Sequence, residues 1–214
     1  MSRLALFRPL ALACVLGTLA ACTLLPDAEP IRVYLLPTAE ATGQQGERLQ
    51  QALRIHTPHA SRILAGPRIA VVPDGNQISS YQGARWSDAA PTLLRDRLIE
   101  QFRQSGPVAV SNEDSNLFAE LELFSELRAF QSEYIDGQPQ VLVRLDAQLA
   151  SATDQRILAS RRFEIRQPSA SPQLESVVAA FGEASDELSR QLQRWMIEIA
   201  KSQSAPVKSG ETVM

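Results

Sequence analysis

Leu117-Phe118-Ala119-Glu120-Leu121-Glu122-Leu123-Phe124-Ser125-Glu126-Leu127-Arg128-Ala129-Phe130 is the stretch whose reading decides the fold class. In an extended chain Leu117, Ala119, Leu121, Leu123, Leu127 and Ala129 share one face. Glu120, Glu122, Glu126 and Arg128 share the other with Phe118, Phe124 and Phe130. Successive side chains of a strand point to opposite faces, so this alternation predicts a half-buried strand. Asp136-Gly137 then marks a turn, and Val141, Val143, Leu145, Ala147 and Leu149 continue the alternation. A second turn at Thr153-Asp154 leads into a further strand over 157–165. Three alternating strands joined by short turns predict an antiparallel meander.

Beyond Pro168 and Pro172 the period becomes helical. Leu174, Val177, Val178, Phe181, Leu188, Leu192, Trp195, Met196 and Ile199 recur at spacings of three and four. Such a stripe predicts a long amphipathic helix that covers the sheet. On the other side of the meander, Ser87 or Asp88 with Pro91 signals a helix start. Leu94, Leu98 and Phe102 follow, and Ser105-Gly106-Pro107 ends the helix. Residues 31–36 and 68–72 read as strands bounded by prolines, and 74–86 as a turn-rich connection. Residues 38–66 read as a long loop with one helical turn near 47–53. The prediction is one α+β domain over 31–201, with a mixed or antiparallel sheet and helices on one face. Residues 202–214, small and unpatterned, read as a disordered tail.

The first 21 residues hold Arg3, Arg8 and no acid, and every residue from 10 to 21 is apolar or small. That run of 12 is too short for the ~20 apolar residues a membrane span needs, and it has the form of a secretory signal. Leu19-Ala20-Ala21-Cys22 resembles the lipobox of bacterial lipoproteins. The resemblance implies cleavage before Cys22 and a diacylglyceryl group on its sulfur. Residues 22–30 become a proline-punctuated tether. Cys14 is discarded with the signal, so Cys22 is the sole cysteine of the mature chain. Loss of Arg3 and Arg8 leaves 19 basic against 24 acidic residues, net −5. Such a chain offers no electrostatic footprint for nucleic acid and no polybasic stretch.

No P-loop, G-x-S-x-G or H-E-x-x-H pattern occurs. His56 and His59 are spaced for a metal but lack further ligands, and a structural zinc wants four. They read as solvated loop histidines, and neither a metal nor a cofactor is expected. Glu120, Glu122 and Glu126 read as a solvated strand face with cross-strand partners such as Arg144 and Arg162. Phe118, Phe124 and Phe130 form an apolar partner surface or pack under a loop. Tyr81, Arg85 and Trp86 concentrate the side-chain types enriched at interface hot spots. The competing reading has Trp86 capping the core and Arg85 paired with a carboxylate.

Four stretches then carry a family resemblance: residues 33–36, residues 81–88 running on to Pro91, residues 121–134, and residues 177–195. In order and spacing they resemble the auxiliary lipoprotein component of ABC-type transport systems, the PqiC-like family. The resemblance implies a non-enzymatic outer-membrane lipoprotein facing the periplasm. It would accompany an ABC transporter and an MCE-domain protein in moving lipid between membranes, with homo-oligomerisation open. Thr23, rather than Asp, after Cys22 favours outer-membrane sorting. Tyr81, Arg85 and Trp86 are its candidate partner contacts, and a periplasmic lipid-binding carrier is the alternative function.

Overall fold

In the computed structural model residues 30–38, 49–104 and 109–204 are described. The signal segment, Cys22, Thr23 and most of the tether lie outside these residues, as do residues 205–214. The elements in chain order are β1 (Arg32–Tyr34), β2 (Leu53–Ile55), β3 (His59–Ala60), β4 (Arg68–Asp74) and β5 (Gln77–Trp86). They continue with α1 (Ala90–Gln104), β6 (Val110–Asn112), β7 (Leu121–Ile135), β8 (Gln138–Ser151), β9 (Ile157–Pro168) and α2 (Leu174–Ser204).

The meander forms as the alternation predicts, β7 pairing β8 and β8 pairing β9, both antiparallel. Asp136 and Gly137 both take positive φ, 51° and 77°. That is the primed two-residue turn whose twist suits a hairpin. The other edge of β7 carries three short strands end to end, all parallel to it: β2, β3 and β4. β6 extends the sheet beyond β2, while β5 and then β1 extend it beyond β4. The sheet is therefore mixed, and both helices pack against it in one compact unit that begins at Arg32.

Several local expectations are corrected. The 38–66 region is not structureless, because β2 and β3 lie in it. Strands of three and two residues are too short to show a period, and their place is fixed by pairing to β7. Residues 77–86, read as turns, form β5, whose Ser-Ser and Gly hide a strand pattern. Leu117 precedes β7 and is exposed rather than core-facing. The second helix runs to Ser204, past the expected start of the tail at 202.

Phe130 is the most informative correction. The β7–β8 register shifts between Leu127 and Ala129, leaving Arg128 as an extra residue. A bulge of one residue reverses which face every later side chain occupies. Phe130 is thus carried from the outer face into the core, where it meets Phe181 at 4.7 Å and Trp86 at 6.0 Å. The helical stripe of α2 behaves as predicted, with Val177, Phe181, Leu188, Leu192 and Met196 fully buried.

Three contacts fasten the N-terminal strand. Glu175, in the first turn of α2, accepts hydrogen bonds from Arg32 and from the Tyr34 hydroxyl, both at 2.8 Å. Ser87 N–H donates to the Tyr34 carbonyl at 2.8 Å. Pro37 crosses α2 at Gly182, where a Cβ would stand 2.7 Å from the Pro37 carbonyl oxygen. Only glycine allows backbone to approach a helix so closely.

Candidate functional site

The segment 81–86 divides between interior and surface. Between the pairs Ala70↔Ser80 and Arg68↔Arg85, β5 spends five residues where β4 spends two. The surplus bulges around Gly83, whose φ of +63° suits glycine. Before the bulge Tyr81 faces inward and shares a 2.9 Å hydrogen bond with Ser132. Burial pushes its hydroxyl up to about 12, against the opposing pull of the Ser132 bond. Trp86 is 0% exposed and meets Phe181 edge-on at 5.2 Å. It belongs to the core, not to a contact surface, and its Nε1 lacks a hydrogen-bond partner. Arg85 alone of the three candidates presents its side chain to solvent.

Start of α1 follows at once. The Asp88 carboxylate accepts from the Ala89 N–H at 2.6 Å, and the Ala89 carbonyl accepts the first helical bond from Leu93. The helix therefore begins one residue later than an Asp88 cap would place it, and two later than a Ser87 cap would.

Arginines on the face turned away from the helices fall into two groups. Over the meander they are neutralised: Arg128 and Arg162 both pair with Asp146, and Arg144 and Arg166 share Glu164. Hydrogen bonds from Arg162 and Arg128 hold the Asp146 carboxyl at about 2. Arg144 and Arg162 thus answer Glu164 and Asp146, not the β7 glutamates. Glu122 pairs with Arg54 of β2 at 2.8 Å, and Glu126 with Arg128 at 2.7 Å. On β4 and β5 the picture changes. Arg68 and Arg85 stand opposite each other and have no ion-pair or hydrogen-bond partner among the described residues. Val33 of β1 is registered against Arg85, so the three side chains form one cross-strand row. Val33 is 52% exposed and Leu35 73%, although the sequence presents them as part of an apolar run.

A second surface lies where β2 meets the start of β7. His56 stacks on Phe124 at 4.2 Å, and its Nε2 is 3.6 Å from Glu122. Arg54 ties Glu122 to the Leu117 carbonyl. Leu117 and Phe118 stand beside this cluster at 62% and 77% exposure. Of the three phenylalanines that interrupt the polar face, Phe118 and Phe124 stay outside and only Phe130 enters the core. An open groove beside Leu117 is floored by Ile99 and Val110 and rimmed by Glu100 and Arg103. His59 belongs to β3 rather than a loop. Among the described residues no group of three or more His, Cys, Asp or Glu gathers as metal ligands would.

Sequence reasoning reached Arg85 and the aromatic pair but missed Arg68, Val33 and Leu35. Nothing local marks them; the β4–β5–β1 register brings them together.

The model of the family described as ABC-type transport auxiliary lipoprotein component matches residues 34–193. Protein XCC0632 of Xanthomonas campestris is 29% identical, with a TM-score of 0.73, over 80% of this chain and 98% of its own. A second solved structure, of an uncharacterised protein, shares 16% identity, with a TM-score of 0.61, over 78% and 99% of the two chains. At that identity the likeness shows the fold alone. No curated protein matches by sequence.

Proposed function

The chain belongs to the family of ABC-type transport auxiliary lipoprotein components, and from that premise we propose a non-enzymatic anchoring and docking role. In this reading lipid on Cys22 holds the protein at the outer membrane, facing the periplasm. The folded unit docks an MCE-domain protein of an intermembrane lipid transport system. Its contribution is positional: two or more acyl chains anchor stably, and the domain converts that anchor into a fixed address for a partner. The family match over most of the folded unit is the observation that carries the reading.

The surface best suited to a protein partner is Leu117, Phe118 and Phe124. Exposed aromatic and aliphatic side chains beside a charged rim have the composition of an interface core. The carrier alternative is less favoured, because Trp86, Phe130, Phe163 and Phe181 fill the space between sheet and helices where an acyl chain would lie.

Purification of the full lipoprotein from solubilised membranes tests the proposal. The MCE-domain protein is expected to accompany the natural chain. Phe118→Asp is expected to lose it at unchanged stability, by roughly thirtyfold in affinity for a hot-spot residue. Recovery of bound lipid in place of a protein partner would favour the carrier and reject docking.

A further inference from the structure

We infer that the outer face of β1, β5 and β4, bearing Val33, Arg68 and Arg85, together with Leu35 just beyond β1, is a membrane-docking surface for an anionic phospholipid leaflet. The inference rests on the proposed lipid anchoring and adds to it an orientation. Three observations carry it. First, Cys22 lies ten residues before Arg32. A chain of that length reaches at most about 35 Å when fully extended, so β1 stays close to any bilayer that holds the lipid.

Second, Val33 of β1 and Leu35 just after it are exposed while Tyr34 between them packs against the core. Exposed aliphatic side chains beside a short anchor are matched by the interfacial zone of a bilayer, where apolar groups bury without a protein partner. The strand is rigidly presented, because Glu175 holds Arg32 and Tyr34, and Pro37 is seated on Gly182.

Third, Arg68 and Arg85 have no ion-pair partner among the described residues, where the arginines over the meander are ion-paired. Like charges directly opposite each other across two strands are unfavourable, and an external anion shared by the two arginines would offset that. Phosphate matches the guanidinium fork in charge and hydrogen-bond geometry. A leaflet supplies phosphates next to hydrocarbon, which is the order in which this face places Arg85 and Val33. An acidic protein segment would satisfy the arginines but not account for aliphatic side chains beside the tether.

The test uses the full mature lipoprotein reconstituted in vesicles. Its only native cysteine is Cys22, blocked by lipid, so Leu35→Cys supplies a unique thiol for an environment-sensitive fluorophore. In phosphatidylglycerol-containing vesicles the label is expected to report an apolar setting and to be quenched by brominated acyl chains. Arg68→Gln with Arg85→Gln should leave thermal unfolding unchanged and lower the docking equilibrium constant roughly thirtyfold, about fivefold per guanidinium. Purely zwitterionic vesicles should weaken docking in the same direction. A label that stays in water although the protein floats with the vesicles overturns the inference and leaves the anchor standing. Protection that appears only when an MCE-domain protein is added overturns it too, since the face is then a protein contact. Failure to float with any vesicle removes the anchor, and the inference with it.

Discussion

Replacing Trp86 by alanine is expected to destabilise the fold rather than weaken a surface contact. The indole is 0% exposed and wedged between Phe130 at 6.0 Å and Phe181 at 5.2 Å. Phe130 and Phe181 come from different elements, β7 and α2, so the cavity left behind cannot close by one local shift. Removing a buried aromatic ring costs about 3–5 kcal/mol. One term opposes this, because the Trp86 Nε1–H is buried without a partner and its loss relieves about 1–3 kcal/mol. A net loss of about 2 kcal/mol remains, roughly 6 °C in melting temperature for a chain of this size. Trp86→Phe keeps most of the ring and removes the unpartnered donor, so it should stay within about 1–2 kcal/mol of the natural chain. Thermal unfolding of the full chain and both variants, followed by circular dichroism, decides the matter. Alanine and natural chains melting together would refute the core assignment and return Trp86 to the interface.

Three further outcomes follow from the geometry. Arg97 and Asp186, each 2% exposed, join α1 to α2 through a 2.7 Å Nε–Oδ1 bond. Asp186→Ala should cost about 3 kcal/mol, because it removes the buried partner of the guanidinium and leaves only the half-exposed Glu100 at 3.2 Å, while Arg97→Met with Asp186→Leu should recover most of that in denaturant unfolding. Gly182→Ala gains about 1 kcal/mol of helix propensity but drives a Cβ to 2.7 Å from the Pro37 carbonyl oxygen. Net destabilisation, with faster proteolysis of the segment around Pro37, is expected, and a more stable variant would contradict the close crossing. The Tyr81 hydroxyl, raised to about 12 from 10.0, keeps its proton in the fold after the unfolded chain has released it. Stability should therefore fall between about pH 10 and 12, and Tyr81→Phe should flatten that limb of a pH series of melting curves.

How legible these features were depended on the length of the pattern behind each. The meander and α2 carry their own periods over ten residues or more, and both stand as the sequence predicts. β2, β3 and β6 have three residues or fewer and no period at all, so only the edge of β7 makes them strands. Strict alternation puts Phe130 on the outer face, but one unpaired residue, Arg128, inverts parity, and no turn residue advertises that bulge. The 81–86 segment is marked in the sequence by its residue types. Burial then split it, taking Trp86 inside, tying Tyr81 to Ser132 and leaving Arg85 outside. Arg68, seventeen positions earlier, joins Arg85 only through a register that no local reading supplies.

The most direct test of the docking role is a photo-crosslinking side chain placed at Phe118 of the full lipoprotein in living cells. Phe118 is 77% exposed, so the substitution leaves the fold intact while probing whatever covers that surface. The account predicts a covalent adduct containing an MCE-domain protein, formed when the chain is membrane-anchored and lost when Cys22→Ala releases it. An anchored chain that yields adducts with no subunit of the transport system would contradict it.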